Sequence, residues 1–375
     1  MKIKDIKTSI VTIPLKKPYI LSKSIGTITH TSYNLIKIET DESMVGFGET
    51  NPMQRFSEET PETINIIINK YLKPKLIGEN PLNIQNINNI MDETMKGNPH
   101  AKAAIDIACH DLFGKKTNLS LSSLLGGAIH TSLPLMGSIG GGSLQDNIKE
   151  AEELIRKGYS SLMIKVGSAT IKEDIERVRA IRQALGKEFP LIVDANQGWN
   201  AQEAIAFARQ VENCDISLLE QPVPAMNYED LKKVKESISI PISADESLFS
   251  KYDALRLINM KAVDVFSIKV SKHGGIYKTK EIMKLAEAFH IPCLMNSMIE
   301  GGITQAASLH LGLSASGLYP FGHAYFSPTR LEMDITNYTE YISDGEVYKP
   351  ILPGLGIELD ENLAHQYIQE VNVYG

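Results

Sequence analysis

Three acidic residues recur through the middle of the chain at a nearly constant interval. They are Asp194 in LIVDAN, Glu220 in SLLEQP and Asp245 in PISADES, 26 and 25 residues apart. Each closes a short apolar run and is followed by a helical stretch. One strand-plus-helix unit of a parallel barrel takes about that length, since roughly 250 residues make eight. Lysines hold the matching position one unit earlier, Lys165 in SLMIKVG, and one unit later, Lys269 in VFSIKV. In a parallel barrel all five side chains meet at the C-terminal ends of the strands.

The 375 residues are too many for one ordinary domain and suit a barrel plus a second domain. A net charge of −7 with no strongly basic run gives nucleic-acid binding no support. The apolar runs fall far short of the roughly 18–20 residues of a transmembrane helix. The opening MKIKDIKTSIVTIPLKK alternates apolar with polar and lacks a signal-peptide core. Cys109, Cys214 and Cys293 are odd in number and poorly spaced for a metal, which predicts buried thiols rather than a disulfide framework. Together these features point to the cytoplasm, with no membrane partner.

Residues 1–125 do not follow the barrel rhythm. They open with strand-like alternation, NLIKIET and MVGFGET being joined at the turn signal Asp41-Glu42-Ser43. Thr60-Pro61 and Asn98-Pro99 read as cap and first turn of two helices. Strands followed by helices predict an α+β capping domain. From 126 to 330 apolar strands alternate with helices. SLPLMGSI is read as the first, six more follow, and an eighth is placed near LYPFGHAY. Continuous apolar runs suit strands buried on both faces. Residues 331–375 turn strand-like again and are expected to return to the cap. The fold class is α/β, a modified barrel with an N-terminal α+β cap completed by the C-terminal tail.

Asp194, Glu220 and Asp245 offer oxygen ligands only, a donor set that selects one Mg²⁺ or Mn²⁺ per chain. Carboxylates in register repel unless a cation neutralises them. A lysine near its ordinary pKa of about 10.4 is a poor base at neutral pH. A nearby divalent cation and partial burial both favour the neutral amine. Two such bases on opposite faces of one carbon can remove a proton from one side and return it to the other. The metal stabilises the charge that develops when a proton leaves the carbon alpha to a carboxylate. Asn196, Gln197 and Glu246 adjoin the proposed ligands. Ser138, Asn296, Ser297 and Glu300 fall at the first and seventh strand ends, and His323 and Tyr325 near the eighth, as candidate substrate contacts.

These motifs resemble the enolase superfamily, and within it the muconate-lactonising subgroup. GFGET, AAIDIACHDLFGKK and SLLGG carry the likeness in the cap; MIKVG, DANQGW, EQP, ADES, IKVSKHGG and MIEGG carry it in the barrel; PGLGIELD carries it in the tail. The resemblance implies a (β/α)₇β barrel, Mg²⁺ on Asp194, Glu220 and Asp245, acid/base lysines at Lys165 and Lys269, and a homo-oligomer. It also implies specificity loops near residues 20–30 and 50–60, where Lys23 and Arg55 are the cationic candidates.

Within the subgroup the chain is most similar to dipeptide epimerases, which implies inversion at the alpha carbon of an L,L-dipeptide of L-Ala-L-X type. Two departures stand out. Met163 replaces the first lysine of the usual Lys-x-Lys. His323-Ala324-Tyr325 carries no carboxylate where dipeptide epimerases commonly hold the substrate ammonium with Asp-x-Asp, leaving Glu300 as the substitute. The alternatives are an N-acylamino acid racemase, a cycloisomerase, a lyase of the o-succinylbenzoate synthase kind, and a non-catalytic carboxylate binder.

Overall fold

The computed structural model describes residues 1–369. Three antiparallel strands open it: β1 (Ile3–Ile20), β2 (Thr27–Thr40) and β3 (Val45–Thr50). Alternation puts Ile3, Ile6, Ile36 and Ile38 on one buried face, against helices that follow in sequence. The turn at Asp41–Ser43 forms as expected, with Ser43 at φ 60°. Gly46 and Gly48 let the helix Pro99–Thr117 lie directly on β3, because a Cβ at either would strike its backbone at Ala108 or Ala104.

Thr60 caps its helix with a reciprocal bond to Thr63. Asn98 does not act as expected. It sits in the left-handed region at φ 54°, and its amide turns back to the Lys96 carbonyl. The cap comes instead from Glu59, whose carboxylate accepts from the backbone N–H groups of His100 at 2.8 Å and Ala101 at 3.0 Å. The helix Pro99–Thr117 is buried on nearly all sides. Its Asp106 accepts from the Ile276 N–H at 2.6 Å and so caps the barrel helix Ile276–Ala288, whose own N-cap residue, Gly275, has no side chain to do so.

SLPLMGSI splits in two. Its first half, β4 (Ser132–Pro134), leaves the barrel, and its second half, β5 (Met136–Ile139), begins it. The parallel sheet continues with β6 (Ser161–Lys165), β7 (Leu191–Asp194), β8 (Ile216–Glu220), β9 (Ile242–Ala244), β10 (Val265–Ile268) and β11 (Cys293–Met295), in that spatial order. The expected eighth strand is two isolated parallel bridges, Leu318 to Cys293 of β11 and His323 to Leu135 beside β5. Residues 317–324 thus close the gap between β11 and β5 without a regular strand. Met136, Met163, Ile192, Leu218, Val265 and Leu294 fill the barrel interior, joined by Tyr319, Ala324 and Phe326.

The tail divides as well. β12 (Ile342–Ser343) and β13 (Glu346–Tyr348) form an antiparallel sheet with β4 beside the start of the first barrel strand, rather than joining the cap. β14 (Ile368–Gln369) pairs with Ile10 and Val11 of β1 and so does reach the cap sheet. Residues 370–375, the end of the expected tail segment, lie outside the described residues. All three cysteines are buried free thiols. No described helix is long and apolar enough to cross a membrane.

Candidate active site

Interior residues alternate along each strand. Met163 and Lys165 share the inward face of β6, as do Ile192 and Asp194 on β7 and Leu218 and Glu220 on β8. Lys165, Asp194 and Glu220 stand side by side in register across three strands. Asp245 follows β9 and Lys269 follows β10. The five residues expected at one mouth therefore do meet there. Asp194, Glu220 and Asp245 have no solvent exposure, and Lys269 is nearly as buried.

Each carboxylate is satisfied by donors. Asp194 pairs with Lys165 and accepts from the Asn196 N–H at 2.8 Å. Glu220 accepts from the Asn296 amide at 2.9 Å. Asp245 pairs with Lys269 at 2.5 Å and Lys272 at 2.6 Å. Burial works against the Lys165 ammonium, but Asp194 and Glu220 outweigh it and hold its pKa above the lysine range. Burial likewise opposes the Lys269 ammonium, and the carboxylates of Asp245, Glu246 and Glu220 again win. Burial would raise Asp245, yet Lys269 and Lys272 bring it down to about 2. Burial, then the charges of Asp194 and Asp245, push Glu220 well above the usual carboxylate range.

Among the described residues no three Asp, Glu, His or Cys side chains are gathered into a preformed metal cage. The donor set nevertheless fits a hard divalent cation: three oxygen ligands at the ends of adjacent strands, with no His or Cys among them. Their mutual repulsion, seen at Glu220, is the strain such a cation relieves.

Lys165, Lys269, Asn196, Asn296, Ser297 and Ser138 line a cavity of about 50 Å³ directly over this floor. Ile25, Met53, Met298 and Ile299 line both it and an outer chamber of about 430 Å³ bordered by the two cap loops. Arg55 borders the outer chamber. Asn196 reaches the Glu246 carboxylate at 3.2 Å. Burial and then the charges of Asp245 and Asp194 raise Glu246 to about 8.

Four expectations fail. His323 and Tyr325 point out of the barrel: the His323 ring accepts from the Met295 N–H at 3.2 Å, and the Tyr325 hydroxyl donates to the Ser308 carbonyl at 3.1 Å. The parity of the closing segment puts Ala324 and Phe326 on the cavity instead. Glu300 lies behind Ser297, whose hydroxyl donates to it at 2.5 Å, and does not line the cavity. Lys23 is exposed and lines neither chamber.

Lys272, Phe56, Tyr19 and Arg330 are among the residues that the sequence did not single out. Lys272 is wholly buried and also donates to the Ser267 carbonyl at 3.0 Å; its place one helical turn after Lys269 was the available signal. Phe56, next to Arg55 in the cap loop, lays its ring 4.1 Å from the Lys269 ammonium. The Tyr19 hydroxyl meets that of Ser138 at 2.5 Å. Arg330 enters the cavity from the short helix Ser327–Arg330. Nothing in the local sequence marks Tyr19 or Arg330.

The fold and floor define a barrel enzyme with an α+β cap, its charged residues gathered at the C-terminal ends of the strands. The family described as "Mandelate racemase / muconate lactonizing enzyme, N-terminal domain" matches residues 5–126, and "Enolase C-terminal domain-like" matches 146–363. The chain belongs to the enolase superfamily, in its muconate-lactonising-like branch, and is an isomerase. It is 36% identical over 370 residues to the chloromuconate cycloisomerase CbnB of Cupriavidus necator, covering 98% of this chain and 99% of that one. The crystal structure of N-succinyl Arg/Lys racemase from Bacillus cereus superposes with a TM-score of 0.94 at 32% identity, covering 98% of each chain. A dipeptide epimerase from Enterococcus faecalis, solved with Mg and the dipeptide L-Leu-L-Tyr, superposes with a TM-score of 0.90 at 34% identity, covering 96% of this chain and 100% of that one.

Proposed function

We propose that this enzyme performs 1,1-proton transfer at the carbon alpha to a carboxylate, with Lys165 and Lys269 as the two bases. The observation that carries it is that both lysines line one cavity, from β6 and from the end of β10, while the three strands between them bring the carboxylates. Lys165 takes the proton from one face of the alpha carbon and Lys269 delivers one to the other, or the reverse. At each turnover one lysine must be neutral and the other charged. Asp194, Glu220 and Asp245 would hold Mg²⁺ as the resident cation, which supplies positive charge to the substrate carboxylate as the proton leaves. Phe56 covers Lys269, and the apolar residues Ile25 and Met53 line both chambers, keeping water from the bases.

The substrate this cavity suits best is an N-acylated amino acid. No Asp or Glu is among the described residues lining it, so a dipeptide's free ammonium would have no partner there. Ring closure of a dicarboxylate is the second reading, favoured by the likeness to the chloromuconate cycloisomerase. Assembly as a homo-oligomer belongs to the same proposal, and sedimentation velocity tests it.

The test is incubation with Mg²⁺ in D₂O and pooled N-succinyl amino acids, N-acetyl amino acids and L-Ala-L-X dipeptides, read by mass spectrometry. A gain of one mass unit at an alpha carbon is the expected result. A new ring without alpha exchange would move the assignment to cycloisomerisation. No change in any pool, with metal bound, would sink the two-base reading.

A further inference from the structure

The three cationic side chains that line the inner cavity are held in different ways. Lys165 and Lys269 each lean on a buried carboxylate. Arg330 does not. Its half-buried guanidinium lies 4.2 Å from the Tyr19 ring and 5.1 Å from the Phe326 ring, and donates to the Ser138 carbonyl. Among the described residues that carbonyl is its one hydrogen-bond acceptor, and no carboxylate pairs with it. The protein's buried arginines are treated otherwise. Arg177 pairs with Asp174 at 2.7 Å and also donates to the Lys165 carbonyl, and Arg182 donates to five backbone carbonyls.

A guanidinium has five N–H donors in a rigid plane and stays charged at any ordinary pH. Two aromatic rings fix that plane, so the unused donors are held in place rather than swinging in solvent. The wall around them is apolar: Met136, Met163, Ala324 and Phe326, with Met163 the register partner of Ser138. An ammonium placed against this wall would face a like charge in a partly dehydrated pocket. A carboxylate there would gain a two-pronged, charge-assisted pair.

We propose that Arg330 is a specificity-determining residue that binds a second anionic group of the substrate, distinct from the carboxylate next to the abstracted proton. The substrate is then a dianion, with one charge over the floor and the other at the seam where residues 317–324 meet β5. This rests on the two-base reading, but its failure can be told apart from the failure of that reading.

The experiment measures kcat/KM for alpha exchange in D₂O on two derivatives of one amino acid. One is N-succinyl; the other is N-butanoyl, which carries a methyl where succinyl has its terminal carboxylate. The wild type should prefer the succinyl compound by about 10- to 100-fold, the size of a lost charged hydrogen bond. Arg330→Gln should erase the ratio. Arg330→Lys should restore part of it, since it keeps the charge and loses the fork. A residue that only shaped the wall would lower both substrates alike and leave the ratio intact. A wild-type ratio near one, a ratio untouched by Arg330→Gln, or a preference for dipeptides with free amines would each overturn the Arg330 assignment and leave the two-base reading standing. No exchange on any carboxylate, with Mg²⁺ bound, would overturn the two-base reading and this assignment with it.

Discussion

From β6 to β10 the barrel ends in five consecutive charged strand tips, two lysines flanking three carboxylates, with the central Glu220 raised by the charges on either side. Between β11 and β5 it ends in irregular backbone that carries an apolar wall and one arginine. The floor is regular because a parallel ladder fixes where every second side chain points, and proton transfer needs that precision. Among the described residues the seam joins its neighbours through two isolated bridges and single backbone hydrogen bonds rather than a ladder. On the reading proposed above, chemistry sits on the ladder and selection where the ladder stops, a division the fold permits but does not by itself assign.

The comparison is tested hardest at the floor. Lys165→Ala and Lys269→Ala should each lower alpha-carbon inversion by about 10²- to 10⁴-fold, followed by chiral chromatography of the product. Either variant retaining near wild-type inversion would remove that lysine from the mechanism. Cation removal should act on the same scale. Dialysis against a chelator should abolish turnover, and adding Mg²⁺ at about 100 times its dissociation constant should stabilise the fold by about 2.7 kcal/mol, read as a rise in Tm. Glu220→Gln should flatten that rise. A Tm indifferent to Mg²⁺ would mean the three carboxylates hold no divalent cation.

The same contrast decides what could be read from the sequence. Asp194, Glu220, Asp245, Lys165 and Lys269 were legible because a period of about 25 residues and an inward parity survive in the one-dimensional string. Ser138, Asn296 and Ser297 were legible for the same reason, each falling at a strand end. His323 and Tyr325 were misplaced because parity at an irregular segment has no ladder to fix its phase, and a slip of one residue turns every side chain over. Glu300 was placed in the loop after the right strand, but Ser297 stands in front of it. In the cap loops Lys23 turns outward and Arg55 borders the outer chamber, while Ile25, Met53 and Phe56 line the inner cavity. A loop's charge is visible in sequence, whereas which side chain it tucks inward depends on packing alone.

Lys272 stands apart from the two proposed bases within the floor. It has no exposure, does not line the cavity, and gives all three of its ammonium bonds to protein oxygens. Burial lowers its pKa, and the charge of Asp245 opposes that shift. Lys272→Met would leave Asp245 buried with one cation fewer, and should cost about 3–5 kcal/mol in urea unfolding. A loss below about 1 kcal/mol would show that Lys269 alone can balance Asp245.

A pH-dependent effect lies where the cap meets the loop after β11. Glu49, at the end of β3, accepts from the Gly301 N–H at 2.7 Å through one oxygen, and among the described residues the other has no partner. Burial is the main cause that raises its pKa from 4.5 to about 8, helped by the charge of Glu300 and opposed by the Gly301 hydrogen bond. Between those two pH values the unfolded chain has released this proton and the folded chain has kept it. The folded state therefore binds more protons, and stability falls as pH rises through the window, by at most about 1.4 kcal/mol per unit. Below pH 4.5 the contribution is fully present; above about 8 it is lost and changes no further. Glu59, raised by burial to about 7, and Glu246 tilt the wild type the same way, so the difference between proteins is the informative quantity. Glu49→Gln keeps an acceptor for Gly301 and cannot ionise. Its stability relative to wild type should climb between pH 5 and 8 in urea unfolding and then level off. Parallel curves would mean that the Glu49 carboxylate is ionised in the fold and that the joint between the cap and that loop tolerates a buried charge.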